Sequence, residues 1–306
     1  MSFEFKRDET VERASGRIFR EEIDGILNAL TGGRRLSRDK AIHESRKRIK
    51  KLRALLRLAR DAMWKKERRV EDAVLRDAGR ALSSSRDARA LLDALDQLRE
   101  STGHHIAPET FTAVRVKLLA RRRMALKLQK ESEAGEVVKC LRAVKRRMGG
   151  CKIHGEGFGA LHGGLKRVYR QGRAAFAVAR YDRDPALLHD WRKRVKDLQL
   201  LGQLLTPIWP EVLERFAGKA HELANCLGED HDLSALRQYL LHETATVSDP
   251  MDLESLLEAI DDRRRKLQQT AMTLGDRVYA EKPADFLERM GNYWNAWSSG
   301  ETMEAG

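Results

Sequence analysis

The stretch HESRKRIKKLRALL at residues 43–56 returns as HDWRKRVKDLQLLG at 189–202, with the histidine, the Arg-Lys-Arg triplet, a β-branched residue, a lysine and a leucine in phase. Similarity of that length within one chain marks a duplicated structural unit. Upstream, RIFR at 17–20 corresponds to RVYR at 167–170; downstream, Arg86-Asp87 corresponds to His231-Asp232 and Arg121-Arg122-Arg123 to Arg263-Arg264-Arg265. The order is kept while the offset drifts from 150 through 146 to 142, as changes in loop length between two copies produce.

Both copies read as helix. Apolar residues recur at three and four spacing, as in Ile49, Leu52, Leu56 and Ala59, and alternating β-branched runs are missing. Helices are predicted near 8–30, 39–62, 65–83, 87–100, 109–131, 135–148, 160–181, 186–205, 209–227, 232–243, 251–275 and 283–297. Five of the six prolines stand where these helices begin or links run; Asp184-Pro185 and Asp249-Pro250 read as an aspartate cap followed by proline at the first helical position. Gly149-Gly150, followed by Gly155, Gly157 and Gly159, marks the link between copies. The fold class expected is all-α: a tandem pair of four-helix-type bundles, residues 1–150 and 151–306, with pseudo-two-fold symmetry and a central basic groove.

The 306 residues carry 59 Lys and Arg against 46 Asp and Glu, a net charge of +13. The excess sits in the first half: 38 basic and 22 acidic residues in 1–150, against 21 and 24 in the remainder. That imbalance points to an anionic partner. With 42% hydrophobic and 34% charged residues, the chain is too apolar for disorder and too charged for a membrane bundle. The opening MSFEFKRDET has no apolar leader segment and AAFAVA at 174–179 is too short to span a bilayer, so a cytoplasmic protein is expected. Three scattered cysteines, Cys140, Cys151 and Cys226, form neither a disulfide framework nor a zinc motif.

On a helical wheel His43, Arg46, Lys47, Lys50 and Arg57 share one sector, opposite Ile49, Leu52, Leu56 and Ala59. The second copy sets His189, Arg192, Lys193 and Lys196 against Val195, Leu198 and Leu205. A solvated amphipathic face is the ordinary explanation of such a stripe. Here, however, residues 43–60 hold eight basic residues and one acid, so the acid-base pairs at four-residue spacing that neutralise an exposed face are missing. Two bundles folded face to face would line one groove with both stripes.

The remaining chemistry-bearing residues are weaker. His104-His105, His154 and His162 read as loop histidines without metal partners. Asp87 and Asp232 read as residues near helix starts, explained by capping or by an ion pair, and Asp261-Asp262 as surface. No GxGxxG, P-loop, HExxH or nucleophile elbow occurs. No catalytic residues, cofactor or metal are expected.

The doubled H-x-x-R-K-x-[IV]-K-x-L pattern in an all-helical chain resembles the conserved-histidine α-helical domain (CHAD) family, over residues 1 to about 297. The resemblance implies tandem four-helix bundles facing each other across a basic cavity that binds inorganic polyphosphate, often at polyphosphate granules. It maps His43, Arg46, Lys47 and Lys50 onto the first motif, with Arg53 and Arg57 further along that helix. His189, Arg192, Lys193 and Lys196 map onto the second, and Arg17, Arg20, Arg167 and Arg170 add the neighbouring helix. Asp197 and Gln199 stand where the first copy has Lys51 and Arg53, so a lopsided groove is expected. Some relatives are fused to a triphosphatase tunnel domain, whose Glu-x-Glu-x-Lys strands are not found here. A non-enzymatic polyphosphate binder is therefore expected. The alternatives are a helical nucleic-acid binder, which also works through phosphate neutralisation, and an accessory subunit of polyphosphate or triphosphate metabolism. The repeated histidines are expected to titrate from near ~6.5 and to gain protons when a phosphate chain binds.

Overall fold

The computed structural model describes residues 3–32, 37–82, 84–102, 106–128, 131–149, 152–243, 247 and 249–300, apart from the side chains of 84–88, 102, 125, 126, 128 and 131–134. His104, His105, Gly150, Cys151 and the side chains of Arg86 and Asp87 lie outside that description. The described residues form eleven α-helices and no strand: α1 (Val11–Thr31), α2 (Arg38–Leu58), α3 (Lys65–Ala81), α4 (Ser84–Thr102), α5 (Pro108–Leu128), α6 (Glu131–Met148), α7 (Gly159–Tyr181), α8 (Pro185–Leu205), α9 (Pro210–His242), α10 (Pro250–Val278) and α11 (Pro283–Ser299). The chain is all-α, and among the described residues no helix is long and apolar enough to cross a membrane.

Local chemistry sets the helix starts. The Asp184 and Asp249 carboxylates accept hydrogen bonds from the backbone N–H of Ala186 (2.8 Å) and Met251 (2.9 Å), and Thr10 and Ser37 do the same for Arg13 and Lys40. Prolines open α5, α8, α9, α10 and α11, where a missing N–H costs nothing. In the glycine-rich link, Gly155 (φ 89°) and Gly157 (φ 51°) adopt the left-handed backbone that side chains disfavour. The link is tied down where the His154 N–H donates to the Ala62 carbonyl at 2.7 Å.

One helix departs from expectation. The predicted break near Gly228 does not exist, and α9 runs unbroken from Pro210 to His242. Gly228 packs against the Arg192 guanidinium; a Cβ there would lie 3.2 Å from its Nε. The glycine gives clearance to a side chain of another helix instead of ending its own. Asp232 consequently lies inside α9, not at a helix start, which overturns its reading as a cap. His162 likewise sits in the first turn of α7, not in a loop.

The packing order of the first six helices recurs in the last five. α1 packs on α2 and α6, as α7 packs on α8 and α11; α4 packs on α5, as α9 packs on α10. The buried side chains divide into two clusters. The larger joins α1, α2, α3, α6, α7, α8 and α11 with the start of α9 and the end of α10. The smaller joins α4 and α5 with residues 233–240 of α9 and 256–267 of α10. Each cluster draws on both the first 150 residues and the rest, and a cleft lies where α2 of the larger faces α4 of the smaller.

Candidate anion-binding cleft

The apolar face of α2 (Ile42, Ile49, Leu52, Leu55, Leu56) is buried in the larger cluster, which turns His43, Lys47 and Lys50 to solvent. The cleft beside them has a volume of about 700 Å³. From α2 it is lined by Asp39, Lys40, Ile42, His43, Glu44 and Arg46; from α4 by Arg89, Ala90, Asp93, Ala94 and Gln97; and from α9 by Asp232. Half-buried Arg46 is braced by donating from one terminal nitrogen to the Gly79 carbonyl of α3 at 2.7 Å. Arg89 pairs with Asp93 at 3.1 Å, and Arg122 of α5 pairs with Asp39, joining α5 to the cleft's rim.

Much of the basic stretch finds counter-charges at home. Buried Glu22 of α1 accepts from Arg48 (2.9 Å) and Lys51 (3.0 Å). Arg53 pairs with Asp72 of α3 at 2.8 Å, and Arg57 with Asp197 of α8 at 3.2 Å. Neither Arg53 nor Arg57 lines the cleft. Asp197 is 15% exposed at its side chain, and burial pushes its carboxyl pKa up, against the pull of Arg57, Arg194 and Arg53. Asp197 fastens the two repeated helices to each other.

Arg17 also has internal partners: its guanidinium binds Glu9 at 2.7 Å, approaches Glu21 and donates to the Glu4 carbonyl. That clamps the N-terminal segment to α1, and it holds the Glu9 carboxyl below its ordinary pKa. Arg20 and Arg167 are exposed on α1 and α7. Arg170 lines a second pocket, formed by α7, α10 and α11.

In the second motif, Lys193 is exposed and pairs with Asp190 at 2.8 Å, and Lys196 donates to Gln199 at 3.3 Å. Half-buried Arg192 packs at Gly228. None of these, nor His189, lines the cleft. The His189 ring lies against that of His231, tilted by 32° with centroids 4.2 Å apart, and His231 is the chain neighbour of Asp232 in the cleft wall. Burial, then the adjacent His231, Lys193 and Arg192, push the His189 imidazole down to about 4. This corrects the expectation that it titrates from ~6.5: His189 is neutral at pH 7.

That shift has a sign for stability. Because the folded pKa lies below the unfolded ~6.5, the group's contribution is fully present above ~6.5 and is lost as pH falls through 6.5 towards 4. The expected result is a urea midpoint that declines between pH 7 and 4.5, with a shallower decline in His189→Gln. Equal declines in both proteins would show that the histidine does not titrate in this window.

The carboxylates are what sequence reasoning missed. Asp39, Glu44, Asp93 and Asp232 stand among the cations of the cleft wall. The polar spacing Arg89, Asp93, Gln97 on α4 was legible, but nothing local says that this face meets α2. Among the described residues no three His, Cys, Asp or Glu side chains are grouped to hold a metal ion.

The sequence matches the family model described as the CHAD domain over residues 17–241. No protein in the curated comparison matches it. Among solved structures, PptA from Streptomyces chartreusis has a similar fold, with a TM-score of 0.62 at 12% identity over 89% of this chain and 100% of that one.

Proposed function

Because the chain belongs to the CHAD domain family, we propose that it binds inorganic polyphosphate in the cleft between α2, α4 and α9 and does not hydrolyse it. One observation carries the reading. The helix that the sequence duplicates puts His43 and Arg46 into the cleft wall beside Lys40 and continues with exposed Lys47 and Lys50. Polyphosphate presents about one negative charge per phosphate and no base to read, so point charges and one braced guanidinium fork suffice. Among the described residues no Phe, Tyr or Trp lines the cleft, so the stacking platforms that single-stranded nucleic acid uses are not among them. Such a protein would work in the cytoplasm, at polyphosphate granules.

The test is a titration with polyphosphate, duplex DNA and single-stranded RNA at several salt concentrations. Polyphosphate should bind tightest, and neither nucleic acid should displace it. Displacement by DNA at equal phosphate concentration would support a nucleic-acid binder instead, and release of orthophosphate would overturn the non-enzymatic reading.

The carboxylates of the wall make affinity a difference between attraction and lost ion pairs. Arg89 must leave Asp93 before it can serve a phosphate, and an exposed pair of this kind holds by only ~0.2–1 kcal/mol. Asp93→Asn should therefore tighten polyphosphate binding by about 3-fold, through the freed guanidinium and the lost repulsion. Weaker binding in isothermal titration would mean that Asp93 positions Arg89 for the ligand.

A further inference from the structure

We propose that the second pocket, between α7, α10 and α11, binds a small phosphorylated organic molecule of nucleoside-phosphate size, independently of the cleft. It encloses about 500 Å³, within the ~300–1,000 Å³ of small-molecule sites. One wall presents Arg170, Arg173 and Arg180 of α7, and among the described residues the only carboxylate lining the pocket is Asp276. Arg180 donates to Asp276 at 2.7 Å while its guanidinium covers the Phe176 ring at 5.3 Å. Arg173 donates from its Nε to the Tyr279 carbonyl at 3.3 Å, and among the described residues its two terminal nitrogens are left for an anion. Three guanidiniums against one carboxylate make the pocket cationic. Ala174, Ala177, Ala280 and Pro283 add an apolar surface that an inorganic phosphate chain has no use for and a sugar or base does.

The internal repeat sets this pocket apart from an ordinary solvated helix face. At the offset of 150 that relates RIFR to RVYR, positions 173, 177 and 180 correspond to Ile23, Leu27 and Leu30 of α1. Those three side chains pack into the larger core. The second copy carries Arg, Ala and Arg at the same places, all exposed, so an apolar seam in one copy is a cationic hollow in the other. Within α7 no acid stands four residues from Arg170, Arg173 or Arg180, so intrahelical pairing does not account for them. The α10 and α11 walls lie beyond residue 241, outside the stretch that matches the family.

ATP is the probe, and inorganic triphosphate, which has the phosphates without the apolar body, is the comparison. In calorimetric titrations of the full chain, Arg173→Ala/Arg180→Ala should weaken ATP binding by at least about 10-fold, the loss of charge-assisted contacts. Both residues are exposed, so helicity should be unchanged and polyphosphate binding should stay within about 2-fold. Arg46→Glu/Lys50→Glu in the cleft should leave ATP binding within about 2-fold. The proposal is overturned if ATP shows no saturable binding at millimolar concentration or if the cleft variant abolishes it. It is equally overturned if inorganic triphosphate binds as tightly as ATP.

Discussion

Arg46→Glu/Lys50→Glu should weaken polyphosphate binding by about 100-fold at low salt, from two lost charge-assisted contacts. The salt dependence should flatten by about two units of slope, one per phosphate contact removed. Arg46 carries most of this. It lines the cleft, and its bond to the Gly79 carbonyl holds the guanidinium in place before ligand arrives, so little side-chain entropy is lost on binding. The matching reversal in the second motif, Arg192→Glu/Lys196→Glu, should cost about 10-fold. Arg192 is packed at Gly228 and Lys196 donates to Gln199, and neither lines the cleft, whereas Arg46 of the first pair does. Equal losses from the two pairs would mean that both motifs grip the ligand alike. Helicity must be checked for the Arg192 variant, because a half-buried glutamate beside α9 disturbs packing as well as binding.

The basis of this asymmetry was only half visible in the sequence. Repetition at 43–56 and 189–202 identified the helices, and the cap and proline signals placed their starts, because both are local properties of a few adjacent residues. Counter-charges are not local. The eight cations of 43–60 looked unneutralised, since the four-residue rule sees only one helix, whereas Glu22, Asp72 and Asp197 reach Arg48, Lys51, Arg53 and Arg57 from α1, α3 and α8. Of those eight cations, among the described residues Arg46 is the one that lines the cleft. The break predicted between 227 and 232 failed for the same reason: helix ends are read from local signals, but the use of Gly228 as clearance for Arg192 depends on which helix lies opposite. The carboxylates of the cleft belong to three helices, and only tertiary packing gathers them.

Gly164→Ala should destabilise the fold by about 3 kcal/mol, the upper part of the overpacking range, which lowers the melting temperature by roughly 5 °C for a chain of this size. Gly164 lies inside α7, where propensity alone favours alanine by ~1 kcal/mol. The tertiary contact reverses that preference. A Cβ at 164 would fall far inside contact distance of the Leu58 carbonyl oxygen and 2.6 Å from that of Arg57. Both are backbone atoms at the end of α2, so no rotamer change relieves the clash, and α7 must move away from α2. That movement would loosen the packing beside Arg57, whose side chain joins α2 to Asp197 of α8. Gly16 of α1 supplies the control, because a Cβ there meets nothing within 4 Å. Gly16→Ala should stabilise the protein by ~0.5–1 kcal/mol through helix propensity alone. Thermal unfolding followed by circular dichroism separates the two cases. If Gly164→Ala melts at or above the wild-type temperature, α2 and α7 do not cross at the close approach from which this penalty follows.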